Sequence, residues 1–352
     1  MTDRKIPVAV LGATGTVGQK LVRLLDGHPW FEVAALTASD ASAGKPYGEV
    51  VRWREPTPLP AWAARRTVLK STEPLRMPLA FSALDTDAAR DIEPRWARAG
   101  TVIVTNASPF RMEPDVPLVI AEVNADHLGL IPGQRAARGW PGAIVANPNC
   151  TTTGLVLALA PLHRAFGIER LFVSTMQAIS GAGWPGVAAL DITGNVVPYI
   201  PGEEEKVERE TAKILGALEG STLRLAPIVV SAHTNRVPVI EGHTETASVG
   251  FSRRVTPDEV AAALRAWRAE PAVAALPSSP ECPVLVDDRP DRPQPRLDSE
   301  RGRGMSAVVG RIRPCPLLDI RFVVLSHNTV RGAAGATIQN AELLVARGVV
   351  AR

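Results

Sequence analysis

The sequence predicts an α/β protein: an N-terminal doubly wound parallel sheet followed by a second, α+β domain. Two observations carry this assignment. Short apolar runs alternate with helical periodicity through residues 1–149, the pattern of strands joined by crossover helices. From Leu223 onward, long strand-like runs succeed one another with few helices between them, as in a mixed or antiparallel sheet with helices on one face. A chain of 352 residues is long enough for two such domains.

The first half opens with "KIPVAVLGATGTVGQKLVRLLDGHP". Val8 to Leu11 form an unbroken apolar run, a buried parallel strand. Val17, Leu21, Leu24 and Leu25 then recur at helical spacing until Gly27 stops the helix. "FEVAALTAS" is the second strand; "PLAFSAL", "TVIVTNAS", "PLVIAEV" and "AIVAN" supply further strands, with a helix in "DTDAARDIEPRWARAG". In the second half, "LRLAPIVVSAHTNRVPVIEGHTETASVGFS", "MSAVVGRIRP" and "LLDIRFVVLSHN" read as strands, interrupted by the helical "TPDEVAAALRAWRAE". The last segment, "VRGAAGATIQNAELLVARG", is helical and is expected to return to the first domain. The Pro- and Arg-rich stretches "EPTPLPAWAARR" and "DDRPDRPQPRLDSERGRG" read as surface loops.

Composition narrows the function. The formal net charge is only +3 and the arginines are scattered rather than clustered, which argues against a nucleic-acid partner and for anionic small molecules. No apolar run reaches the roughly 20 residues of a membrane helix, and no apolar leader follows the charges of "MTDRKI". A soluble, cytoplasmic protein with no membrane partner is therefore expected. Three cysteines, Cys150, Cys282 and Cys315, cannot all pair, which fits a reducing compartment, and their spacing does not resemble a metal site.

Gly12, Gly15 and Gly18 stand in "GATGTVG" between the first strand and its helix. Such glycines allow a tight turn and close approach of backbone to a pyrophosphate seated on the helix N-terminus, so a Rossmann-like dinucleotide site is expected. At the end of the second strand, "TASDASAGK" offers Thr37, Ser39, Ser42 and Lys45. These hydroxyls and an ammonium suit a 2′-phosphate, hence NADP. Asp40 is the counter-signal, because a carboxylate there can hold the ribose hydroxyls of NAD.

Cys150 follows the turn Asn147, Pro148, Asn149 and begins a helical stretch. Free N–H groups and the dipole at a helix start favour an anion, so the thiol is expected to have a lowered pKa and nucleophilic character. The alternative is a small buried residue packed under the helix. A thiolate beside a nicotinamide points to acyl chemistry: attack, thioester formation, and reduction by hydride. Of six histidines, His28 and His163 read as structural or surface residues, and His127 as a loop residue. His233 and His327 end strand-like runs and could border a site. His243 stands among polar residues in "RVPVIEGHTE", and with Arg236 it straddles one short strand, so the two could bracket a ligand. Taken alone, His243 reads as a core histidine.

Together these stretches resemble the aspartate-β-semialdehyde dehydrogenase family, in the branch typical of archaea and fungi. The resemblance runs over nearly the whole chain through "LGATGTVGQ", "NASPFRMEPDVPLVIAEVN", "NPNCTTTGL", "QAISGAGWPGV", "NVVPYIPGEEEKVERET", "NRVPVIEGHTE", "DDRPDRPQPRLD" and "LSHNTVRGAAGAT". It implies a dinucleotide-binding domain at 1–149, completed by the C-terminal helix at about 330–352, and a catalytic and dimerisation domain at 150–329, in a homodimer or homotetramer. Cys150 matches the acyl-accepting nucleophile with Asn149 its neighbour, Gln177 the glutamine that orients the acyl group, and His243 the general acid/base. Arg236 matches the grip on the substrate α-carboxylate. Glu203, or alternatively Glu204, matches the acid for its ammonium. Lys206 and Arg111 match the phosphoryl-holding pair, with Asn106 close by. Gly12, Thr14, Gly15, Thr16, Val17 and Gly18 match the dinucleotide loop, and Ser180, Gly181, Gly183 and Asn328 the contacts near the nicotinamide. One departure bears on the cofactor: an arginine common before the second serine of "ASDASAGK" is Ala41 here.

The implied activity is NADP-dependent reduction of L-aspartyl-β-phosphate to L-aspartate β-semialdehyde, with release of phosphate, in aspartate-family amino-acid biosynthesis. The alternatives are another acyl-thioester or acyl-phosphate reductase on the same scaffold, such as malonyl-CoA reductase, and a non-catalytic dinucleotide sensor.

Overall fold

A computed structural model describes residues 5–351. The expectation that no leader precedes the first strand falls on Met1–Arg4, outside the described residues. Strands β1 (Ile6–Leu11), β2 (Phe31–Ala38), β3 (Leu69–Lys70), β4 (Leu79–Ser82), β5 (Val102–Thr105) and β6 (Ala143–Ala146) form one all-parallel sheet in the order β3-β2-β1-β4-β5-β6. Strand order reverses between β1 and β4, which opens a crevice at their carboxyl ends, where doubly wound folds bind ligands. Strands β4, β5 and β6 are buried at every position, as parallel strands covered on both faces must be.

The first crossover shows why the glycines are there. Gly12 turns the chain at φ +72°, and a Cβ on it would lie 2.6 Å from the Ala83 carbonyl oxygen. A Cβ on Gly18 would lie 2.3 Å from the Gly12 oxygen, so the helix Thr16–Leu24 can press against its own loop only without a side chain there. Leu21 and Val22 bury that helix on the sheet.

"PLVIAEV" is not a strand. Only Leu118 bridges to Ala146, and the chain then coils into the short helix Ala121–Asn124. The Asn124 side chain accepts the Ile120 N–H at 2.9 Å and donates to the Leu118 carbonyl at 2.8 Å. It occupies the backbone groups that a ladder would need.

The second sheet is mixed. Strands β7 (Ile168–Gln177), β10 (Val229–Arg236), β11 (His243–Phe251), β12 (Val284–Asp287), β13 (Ala307–Pro314) and β14 (Ile320–Ser326) lie in the order β10-β7-β11-β14-β13-β12, while β8 (Ala217–Glu219) and β9 (Thr222–Arg224) make a separate hairpin. Pairs β10/β7 and β12/β13 are parallel and the rest antiparallel. The helix Cys150–Phe166 packs on this sheet and is buried along nearly its whole length. It is apolar all round because the helices Glu203–Ile214 and Pro257–Ala266 cover its other sides. On the opposite face of the sheet, Phe172, His233, Thr246 and Arg321 point outward and are exposed. The last helix, Gly335–Ala346, returns to the first sheet, where Ile338, Ala341 and Leu344 share a core with β1, β4 and β5. Neither β7 nor the helix Glu203–Ile214 is among the elements read from the sequence.

Candidate active site

A cavity of about 640 Å³ lies between the two sheets, walled by Thr16 and Val17 of the first crossover, by the turn Ser180–Gly183, and by Cys150. Asn106, Arg111, Asn149, Glu203, Lys206, Arg236 and Asn328 also face it. The chain thus gathers residues spread over more than three hundred positions into one chamber.

Cys150 is the first residue of its helix, and Asn149 caps that helix by accepting the N–H groups of Thr151 and Thr152 at 2.9 and 3.2 Å. The sulfur lies 3.2 Å from Nε2 of His243, the first residue of β11. The expected lowering of the thiol pKa is not what the structure shows. Burial pushes the thiol up to about 12, and the Glu203 carboxylate adds to this; Arg111, Arg236 and the Thr151 N–H pull the other way without overcoming it. His243 is pushed down to about 3 by burial, then by the charges of Arg236 and His327. The resting pair is therefore a neutral thiol and a neutral imidazole.

Arg236 ends β10, opposite Gln177 in register, and its Nη1 donates to the Ala178 carbonyl at 2.8 Å. The turn after β7 closes over it: a Cβ on Gly181 would stand 2.9 Å from Arg236 Nη1 and 3.1 Å from His243 Cε1. Glu203 is buried and accepts from Asn149 Nδ2 at 2.7 Å and Lys206 Nζ at 3.3 Å. Glu204 instead accepts the Thr234 N–H at 3.0 Å. Of the two acids left open by the sequence, Glu203 is thus the one in the cavity. Arg111 Nη2 donates to the Asn106 carbonyl at 2.7 Å. The Asn106 side chain is held by Ser82, Asn147 and Thr337, and Asn328 links the Gly242 N–H to Ser180 Oγ.

Some expected residues stand apart. Gln177 is buried, with its amide 3.4 Å from Thr175 Oγ1, and does not line the cavity. Thr37 is fully buried and its hydroxyl is bound to Ser71 Oγ at 2.7 Å, so it is not free for a phosphate. Ser39, Ser42 and Lys45 are at least partly exposed beyond β2, with Lys45 Nζ donating to the Ala41 carbonyl at 3.1 Å. His327 is buried between Glu241 and Glu300. His28 is bound to Glu342, and His127 to Asn124.

Two charged residues were not picked out from the sequence. Glu210 binds Arg111 Nη1 at 3.0 Å and accepts the Asn149 N–H at 2.6 Å. Lys70 at the end of β3 has its Nζ 3.9 Å from Asp40 Oδ1. Glu210 lies two helical turns beyond Glu203, and that spacing on one face was its available signal.

The family described as "Semialdehyde dehydrogenase, NAD binding domain" matches residues 7–131, and "Semialdehyde dehydrogenase, dimerisation domain" matches residues 159–331. The chain is 50% identical to an aspartate-semialdehyde dehydrogenase of Archaeoglobus fulgidus over 97% of this chain and 99% of that one. It is 44% identical to one of Saccharomyces cerevisiae over 99% and 100%. The structure of aspartate semialdehyde dehydrogenase with NADP from Candida albicans superposes with a TM-score of 0.91 at 44% identity, covering 98% of this chain and all of that one. Aspartate semialdehyde dehydrogenase II complexed with ASA from Vibrio cholerae gives 0.76 at 27% identity, with 97% and 98% covered. The chain belongs to the aspartate-semialdehyde dehydrogenase family.

Proposed function

We propose that the protein reduces L-aspartyl-β-phosphate to L-aspartate β-semialdehyde, reversibly, through a thioester on Cys150, with NADPH as reductant and phosphate as the leaving group. The observation that carries this reading is the thiol–imidazole pair at 3.2 Å beside a cavity that also holds Arg236, Glu203 and Lys206. The names of the relatives support it, and place the activity in aspartate-family amino-acid biosynthesis.

The glycine loop fits a dinucleotide: a Cβ at Gly12 or Gly18 would strike Ala83 or the loop's own backbone, so the turn is tight, and Thr16 and Val17 at the helix start face the cavity. NADP, the cofactor bound in the Candida albicans structure, would lie along Gly12–Gly18 with its nicotinamide toward Ser180, Gly181, Gly183 and Asn328. When bound it supplies the hydride. This chain's residues do the rest. The Arg236 fork holds the α-carboxylate, Glu203 the ammonium, and Arg111 with Lys206 the phosphoryl group. The Cys150 sulfur then bonds to the acyl carbon as the C–O bond to phosphate breaks. His243 serves as the acid/base partner of the sulfur.

We further assign residues 1–149 and about 330–352 to the cofactor domain and 150–329 to catalysis and dimerisation. The family match to a dimerisation domain and the uncovered face of the second sheet support a homodimer or homotetramer. A cytoplasmic setting is supported by three unpaired cysteines. No helix among the described residues is long and apolar enough to cross a membrane. The reading is tested by incubating the protein with aspartyl-β-phosphate without cofactor and mapping peptides by mass. An aspartyl adduct on Cys150 is expected; an adduct elsewhere, or none, contradicts the thioester.

A further inference from the structure

The imidazole of His243 is held at both ends. Nε2 faces the Cys150 sulfur at 3.2 Å, and Nδ1 lies 3.0 Å from the backbone nitrogen of Ala178. A backbone N–H can only donate, so Nδ1 accepts it on its lone pair and carries no proton. In a neutral ring the single proton then sits on Nε2, aimed at the sulfur.

The donor at Ala178 is fixed by its neighbours. The Val237 N–H donates to the Gln177 carbonyl at 3.0 Å, and the Ile179 N–H donates to the Val239 carbonyl at 2.8 Å. The chain is thus pinned on both sides of Ala178, and the Ala178 carbonyl receives Arg236 Nη1. One residue, by its two backbone groups, orients both His243 and Arg236. The ring itself is fully buried at the start of β11, paired in register with Ser326.

We propose that Ala178, through its backbone N–H, is a positioning residue that locks His243 in the Nε2–H tautomer and makes the imidazole a hydrogen-bond donor to the Cys150 sulfur in the resting enzyme. This rests on the reading of Cys150 as the acyl-accepting thiol. In this tautomer Nε2 has no lone pair for the thiol proton, so in the resting enzyme His243 favours the sulfur anion by donating to it, and it serves as base only after its proton has shifted to Nδ1. A proton settles on Nδ1 only when the Ala178 N–H lets go, since two N–H groups would otherwise face each other. Arg236 and His327, the charged and titratable groups acting on the ring, oppose that proton as well.

Long-range ¹H–¹⁵N spectra of the ¹⁵N-labelled full chain test this, with His243 assigned by the signals lost in His243→Asn. The expected result is a bare Nδ1 and a protonated Nε2, unchanged between about pH 5.5 and 8.5. An Nδ1–H tautomer, or an imidazolium near neutral pH, overturns the proposal. The spectrum needs no substrate, so it reads the tautomer even where the aspartyl-phosphate assignment failed. A second variant replaces Ala178 by its α-hydroxy analogue, which turns one amide into an ester and removes only that N–H. The tautomer should move to Nδ1–H, and carboxamidomethylation of Cys150, followed on its own peptide, should slow by about tenfold or more. An unchanged tautomer in a folded ester variant contradicts the proposal; if that variant does not fold, the spectrum of the native chain decides.

Discussion

Arg111 donates to Glu210 at 3.0 Å, and the other oxygen of the same carboxylate accepts the backbone N–H of Asn149 at 2.6 Å, next to Cys150. Both side chains are buried. Glu210 therefore connects the arginine proposed for the phosphoryl group to the cap of the nucleophile's helix. Burial raises the Glu210 pKa, while Arg111 and the Asn149 N–H hold it down. Glu210→Ala leaves Arg111 uncompensated, and removing one member of such a pair costs about 3–5 kcal/mol. Urea denaturation should show that loss, and the phosphate Michaelis constant should rise with it. A variant of native stability and unchanged kinetics would make the pair incidental.

Much of this was legible in the sequence, and the failures have physical causes. The parallel sheet followed from unbroken apolar runs, and the glycine turn from its place between strand and helix. "PLVIAEV" misled because Asn124 satisfies its backbone locally. β7 was missed although Leu171, Val173 and Thr175 alternate inward, because it follows directly on a long apolar helix. The pairing of Cys150 with His243 depends on β11 lying beside β7, a relationship 93 residues apart that no local pattern encodes. The thiol pKa went the wrong way because the helix start is a local feature, whereas desolvation is set by the whole fold.

Alkylation of Cys150 should depend steeply on pH. Its folded pKa lies above the ordinary thiol value, so the thiolate fraction is small at neutrality and grows about tenfold per pH unit below that pKa. Iodoacetamide rates on the Cys150 peptide, without substrate, should climb through about pH 9 with no plateau. A plateau near neutrality would show that the helix start and the arginines outweigh burial after all.

The two arginines should separate in steady-state kinetics. Arg111→Ala should raise the Michaelis constant for phosphate and spare that for the aldehyde. Arg236→Ala should do the reverse and also lower the turnover number, because a loosened acyl group no longer meets the sulfur in line. Lysine at either position should rescue only in part, and less well at Arg236, where the fork matters. Equal effects on one constant would replace two pockets with a single diffuse basic cleft.

Cofactor choice should rest on lysines around the end of β2. Lys70 Nζ stands 3.9 Å from Asp40 Oδ1, so it partly neutralises the one carboxylate that favours NAD. Lys45→Ala and Lys70→Ala should each weaken NADP by about tenfold and leave NAD nearly unchanged, the loss of one charge-assisted contact. Fluorescence titration with both cofactors measures this. Equal weakening of both would return Asp40 to the role of ribose ligand.

The most direct measurement is NADP reduction by aspartate β-semialdehyde, with phosphate and then coenzyme A as the acyl acceptor, in the native chain and in Cys150→Ala. Turnover should require phosphate, should not be supported by coenzyme A, and should vanish in the variant while NADP binding persists, because the glycine loop lies on the other sheet. Turnover with coenzyme A in place of phosphate, or undiminished turnover without the thiol, would contradict an aspartyl-phosphate reductase working through Cys150.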